Sequence, residues 1–324
     1  MDKIQEFIER VKGLNKKVVF PEGEDERILL SASELKKERI VNPVLLGNKE
    51  KIFQTGENLG ITNLSEIEII DPENSELFGI LVDRYCEKRK NINKNVAEKI
   101  VRRPLIFGGL LVDTGNCDSM IAGATNTTAN VIQSAALTVG YLEGIKTTSS
   151  FFIMVLPDGK IYFFADCAVN ISPDENQLAE IGITTGLNYK KLMGENPKIA
   201  FLSFSTKGSA SHPLVEKVQK AVKIAKEKNR EFDIDGELQV DSAINEEVAK
   251  RKVKEFSPVA GKANVLIFPD LNSGNIAYKI TQYLGNAQAY GPILQGFSKP
   301  VSDLSRGAKV KDIIVTTVIT CLMS

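Results

Sequence analysis

The sequence of 324 residues holds a single histidine, His212. Sites with two histidine ligands are therefore excluded, and any Ser-His-Asp or Cys-His device would have to be built around that one residue. His212 precedes Pro213 in STKGSASHPLVEKV, where a helix starts, and it reads as a helix-start residue rather than a catalyst. Cysteine is also sparse. Cys86, Cys117, Cys167 and Cys321 lie far apart without a CxxC pair, which argues against a zinc knot or a disulfide framework and for reduced thiols in a cytoplasm. Net charge is missing too: 41 Lys and Arg face 41 Asp and Glu. No global field holds a nucleic-acid backbone or an anionic membrane, although a local basic pocket for a small anion stays open. Long apolar runs are absent. The stretch from Ile313 to Ser324 is too short to span a bilayer, and the charged, amphipathic MDKIQEFIERVKGLNKK has no signal-peptide core.

What is present is an ordinary globular balance, 43% hydrophobic and 25% charged, in a chain long enough for two domains. KKVVFPEG, NPVLLGN and IEIID read as strands, and DERILLSASELKKE and SELFGILVDRYCEKRK as helices. This rhythm predicts an α/β fold with mostly parallel sheets. A helical stretch from about Val96 to Asn116 follows, which Pro104 should kink or divide. DSMIAGAT gives another strand, and NTTANVIQSAALTVG opens a helix. Near residue 145 the pattern changes. SSFFIMVLPDGKIYFFADCA reads as a β-hairpin around Pro157-Asp158-Gly159. KIAFLSFSTKGSA, FDIDGELQVDSA, NVLIFPDLNSGN and AQAYGPILQGF are then strands whose trailing loops should gather where α/β sheets bind ligands. The segment after Lys299 is expected to return to the first domain, because its helix has no strand partner of its own. The expected domains are residues 1–143 with 300–324, and residues 144–299.

Four stretches carry candidate chemistry. In STKGSAS, Ser205 to Ser211, backbone N–H groups and Lys207 could cradle a phosphate, and a capped Gly/Ser loop explains the stretch equally well. It is not a Walker A motif. In GATNTTAN, Gly123 to Asn130, capping accounts for one polar residue but less well for a row of them, so Thr127 and Thr128 favour ligand contact. In PDLNSGN, local turn bonds suffice for Asp270 and Asn272. In KPVSDLSRGAKVKDIIVTTVIT, Arg306 offers a fork of donors that matches a carboxylate or phosphate, with the Ser305 hydroxyl beside it. On spacing alone, Asp312 reads as a carboxylate suited to a helix N-terminus.

The segments FPEGEDERIL, STKGSA, DGELQVDSA, SPVAGKANVLIFPDLNSGNIAYKI, AYGPILQG and KPVSDLSRG resemble, in order, the phosphate acetyl/butyryl transferase family, and the C-terminal half is closer to its acetyltransferase branch. The resemblance implies two α/β domains with a central cleft, an architecture like the isocitrate and isopropylmalate dehydrogenases, in a cytoplasmic homodimer. It implies reversible acyl transfer between acetyl-CoA and phosphate, giving acetyl phosphate and CoA, without a metal or a permanently bound cofactor; coenzyme A is a substrate. Asp312 would be the base for the CoA thiol, Arg306 the group that stabilises the oxyanion, and Ser305 its assistant. Arg89 in YCEKRK, Thr127, Thr128, Gln133, Lys207 and Tyr290 would contact CoA, phosphate or the acyl phosphate. The chain departs from the family at NTTANVIQS, where HSTADTVRP is usual: Asn126 replaces histidine, Asn130 aspartate and Gln133 arginine. Ser302 stands where asparagine is usual. These departures put phosphate affinity in question and keep three alternatives in view: transfer of propionyl or butyryl groups, a weakened enzyme, and a non-catalytic sensor of acetyl-CoA or acetyl phosphate. A dehydrogenase of the isocitrate type is a fold-related runner-up without a metal-binding aspartate cluster to support it.

Overall fold

The computed structural model describes residues 3–324. Contacts divide the chain into two compact units: the residues up to Glu143 together with Phe297–Ser324, and Gly144–Gly296.

In the first unit the elements run α1 Lys3–Lys12, β1 Lys17–Phe20, α2 Glu26–Lys37, β2 Asn42–Leu46, α3 Lys49–Asn58, β3 Glu68–Ile70, α4 Phe78–Lys88, α5 Lys94–Val101, α6 Pro104–Asp113, β4 Ser119–Ala122 and α7 Thr128–Thr138. Pro104 occupies the first turn of α6, where its missing N–H is harmless. It divides the helical stretch expected over 96–116, with a break at Arg102 and Arg103 between α5 and α6. Helix α3 was not anticipated. It buries only Ile52 and Gly56, so the sequence shows no apolar stripe there.

The second unit holds β5 Ser149–Val155, β6 Ile161–Ala165, α8 Glu175–Met193, β7 Lys198–Leu202, α9 Pro213–Lys228, β8 Asp233–Leu238, α10 Val240–Ile244, α11 Glu246–Lys252, β9 Val265–Ile267, α12 Leu271–Tyr283 and β10 Gln288–Gln295. β5 and β6 form the expected antiparallel hairpin, turned at Gly159 with φ +84°. The sheet order is β10-β5-β6-β9-β7-β8. Only β5 opposes the common direction, so β7, β8, β9 and β10 end on one edge. Its core includes Phe152, Phe164, Leu202, Leu266 and Phe268. His212 caps α9, its Nδ1 accepting the Leu214 N–H at 3.2 Å.

The chain then returns to the first unit as β11 Val301–Asp303 and α13 Val310–Leu322. β11 corrects the expectation that the last helix has no strand: it pairs in parallel with β4, Ser302 beside Ile121. The first unit's sheet is β11-β4-β1-β2-β3, all parallel. α13 is buried from Ile313 to Leu322 and packs against α1 and α2. An apolar helix this enclosed is core. Among the described residues no helix is long and apolar enough to cross a membrane.

Candidate active site

Because β1, β4 and β11 are adjacent and parallel, the loops that follow them emerge on one edge of the first unit's sheet. The loop after β4 is the GATNTTAN stretch, and its donors already have a carboxylate. Glu22, in the loop after β1, accepts six hydrogen bonds: from the N–H groups of Gly123, Ala124, Thr125 and Asn126, from Thr125 Oγ1 and from Asn126 Nδ2, at 2.7–2.9 Å. Such a nest is built for an anion, and here it holds the chain's own. Thr127 caps α7 by accepting the Asn130 N–H at 3.3 Å. Thr128 donates its hydroxyl to Asp303 Oδ2 at 2.5 Å.

Arg27 fastens the three loops together. Its Nε and Nη2 donate to the two oxygens of Asp25, at 3.1 and 2.8 Å. Nη2 also donates to the Ala124 carbonyl at 2.8 Å, and Nη1 to the carbonyls of Arg306 at 2.7 Å and Ala308 at 3.2 Å. Burial alone would raise the Asp25 pKa, but bonds from Arg27 outweigh it and hold the carboxyl below its usual range. Asp25 in turn caps α2 through the Arg27 N–H at 2.9 Å. Sequence reasoning did not single out Arg27, although it lies inside the FPEGEDERIL match. The available signal was an Asp-Glu-Arg at a helix start.

The backbone of the SRG turn is thus anchored from outside while its side chains remain open. Ser305, Arg306 and Asp312 are exposed. Ser305 Oγ accepts only the Gly307 N–H, at 3.3 Å. The Arg306 guanidinium has no partner among the described residues. Asp312 Oδ2 accepts the Lys309 N–H at 3.0 Å, so the bland reading of this acid as a helix-start carboxylate is realised and the second oxygen stays available.

Beside this turn system lies a pocket of about 770 Å³ within the first unit. Gln133, Asn126 and Asn130, three of the departures from the family pattern, line it together with Arg103, Tyr85, Leu105 and Leu137. Gln133 and Arg103 have unpartnered side chains among the described residues. The cation facing this pocket is Arg103, which the sequence reading missed. Arg89 is not among the lining residues; it ends α4, donates Nη2 to the Ala136 carbonyl at 3.1 Å and leaves Nε buried without a partner among the described residues.

Lys207 and Tyr290 lie in the second unit. Lys207 sits at φ +49° and pairs with Asp235 Oδ1 at 2.5 Å. The N–H of Gly208 and the hydroxyl of Ser205 both go to Glu237, at 2.6 and 2.9 Å, so the STKGSAS loop also cradles an internal carboxylate. Tyr290 donates its hydroxyl to Gln288 Oε1 at 2.6 Å.

The family model described as phosphate acetyl/butaryl transferase matches residues 3–321. A phosphate acetyltransferase of Thermoanaerobacterium thermosaccharolyticum is 46% identical over 321 residues, covering 97% of each chain. Among solved structures, the EutD phosphotransacetylase from Staphylococcus aureus superposes with a TM-score of 0.93 at 39% identity, covering 99% of this chain and 98% of its own. A phosphotransacetylase from Streptococcus pyogenes gives 0.93 at 41% identity, over 99% and 97%. A pattern of matched loops, an anchored SRG turn and similarity along nearly the whole chain leads to one conclusion: this chain belongs to the phosphate acetyl/butaryl transferase family.

Proposed function

We propose that the protein catalyses reversible acetyl transfer between coenzyme A and phosphate, with its two compact units as its two domains, in the cytoplasm and as a homodimer. In the direction of thioester formation, the CoA sulfur attacks the carbonyl of acetyl phosphate. The thiol proton passes to Asp312, the carbon–oxygen bond to the phosphoryl group breaks, and phosphate leaves. A thiol of pKa ~8.5 is mostly protonated at neutral pH, so a positioned carboxylate helps. Arg306 meets the charge that develops on the carbonyl oxygen, and Ser305 adds a hydroxyl donor. The observation that carries this reading is the division of labour in the SRG turn: Arg27 fixes the backbone carbonyls of Arg306 and Ala308, while the Arg306 guanidinium stays uncommitted. Preorganised donors of this kind stabilise a transition state without reorganising.

The 770 Å³ pocket supports a role in substrate binding, with Arg103 supplying a charge that Gln133 lacks. Thr127, Thr128, Arg89, Lys207 and Tyr290 complete the proposed contacts with CoA and phosphate. The test is thioester formation from CoA with acetyl, propionyl and butyryl phosphate in parallel. Turnover highest with acetyl phosphate is expected. A preference for a longer chain would move the substrate, and saturable acetyl-CoA binding without turnover on any of them would contradict the enzyme.

A further inference from the structure

Two residues before Ser305, β11 carries a buried carboxylate that the acyl-transfer chemistry does not use. Asp303 is 3% exposed. Its Oδ2 accepts the Thr128 hydroxyl, and its Oδ1 is buried without a partner among the described residues. Gly123 makes room for that oxygen: at φ +108°, a Cβ there would lie 2.2 Å from Oδ1. Leaving a buried carboxylate oxygen unpaired is unfavourable, so such groups usually have a reason to be kept.

The surroundings of Asp303 are short of compensating charge. From the β1–α2 loop comes Glu22, a like charge. Arg27 on α2 is committed to Asp25 and three carbonyls. α7 contributes the Thr128 hydroxyl, the end of β4 only Ala122 and Gly123, and Arg306, Lys309 and Asp312 on the turn and the start of α13 are exposed. Asp118 and its partner Lys16 sit at the opposite edge of the sheet, where β4 begins.

Thr128 is exposed at the edge where the SRG turn emerges, and a hydroxyl has one proton to give. While Asp303 is ionised it can only accept, so that proton is committed inward. We propose that Asp303 is a positioning residue that sets what Thr128 offers a bound anion: an acceptor when Asp303 is ionised, and a donor to a phosphoryl-type oxygen when Asp303 takes a proton from solvent and donates it to Thr128. The proposal rests on the reading of Thr128 as a ligand contact. Burial, and behind it the Glu22 charge, pushes the Asp303 carboxyl up to about 6 against the opposing bond from Thr128, which places the exchange just below neutrality. By linkage, anion binding and protonation of Asp303 favour one another.

Sulfate is a suitable probe, because it keeps one charge state across the range of interest. Calorimetric titration of sulfate into the full chain at pH 5.5 and 7.5 tests the idea without depending on turnover. His212→Asn is the background, because it removes the chain's single histidine from the comparison and asparagine also caps helices. Sulfate should bind roughly tenfold more tightly at pH 5.5. Asp303→Asn should bind it with the same affinity at both pH values. Thr128→Val should bind weakly at both. Equal affinities at both pH values in the His212→Asn protein, no measurable binding at either, or a dependence that survives Asp303→Asn would overturn the role of Asp303. Unchanged binding in Thr128→Val would overturn it differently, by removing Thr128 from the site.

Discussion

Arg27 and Arg306 meet in one turn, and their side chains have opposite duties. Arg27 spends every terminal nitrogen on the protein, while Arg306 spends none among the described residues. Substitutions should separate them. Arg306→Ala should lower kcat/KM by the equivalent of roughly 2–4 kcal/mol with thermal stability unchanged. Arg27→Met should lower both, because it frees two carbonyls of the turn and leaves Asp25 half-buried without its cation. Steady-state kinetics beside thermal melts would distinguish the two patterns. Asp303 makes a prediction of its own at this scale. Its folded pKa is raised, so the stability it contributes is present in acid and lost as pH rises through about 6. Asp303→Asn should therefore be more stable than the parent by roughly 1–3 kcal/mol at pH 8, with the gap closing near pH 4, as read by chemical denaturation.

At the scale of elements, legibility followed the range of the forces involved. The β5–β6 turn and the break at Pro104 were readable because turn chemistry and a missing N–H act within a few residues. Helix α3 was not, since it shows almost no apolar face. β11 was not either: a three-residue strand of Val-Ser-Asp is held by β4 and by a buried bond from Thr320 to Ser302, neither visible locally. The site divided in the same way. Ser305, Arg306 and Asp312 are proposed from motif resemblance, whereas the Glu22 nest joins residues about a hundred positions apart. The loops expected to hold a ligand's anion turned out to hold Glu22 and Glu237. Helix α6 brings a further consequence, since Arg103 at its start faces the pocket that Gln133 lines from α7. Arg103→Ala should raise the KM for CoA or phosphate several-fold with little change in kcat, and Gln133→Arg should lower the KM for phosphate. A change confined to kcat would mean that this pocket does not bind ground-state substrate.

For the whole molecule, zero net charge leaves acid behaviour to individual carboxylates. Asp25, Asp113 and Asp235, and likewise Glu180 and Glu237, are buried enough that desolvation would raise them, yet hydrogen bonds and cations hold each below its ordinary value. Their stabilising contribution is present above the unfolded values of 3.8 and 4.5 and is lost as pH falls further through the folded ones. Melting temperature should thus hold down to about pH 5 and then drop steeply. In the proposed function a fixed turn presents Arg306 and Ser305 while Asp312 serves as base. Its most direct test is the turnover of Asp312→Asn, followed as thioester absorbance from CoA and acetyl phosphate, on protein whose melting curve matches the parent. The expected loss is roughly 10²–10⁴-fold in kcat. Turnover within a few-fold of the parent would show that Asp312 does no more than cap its helix.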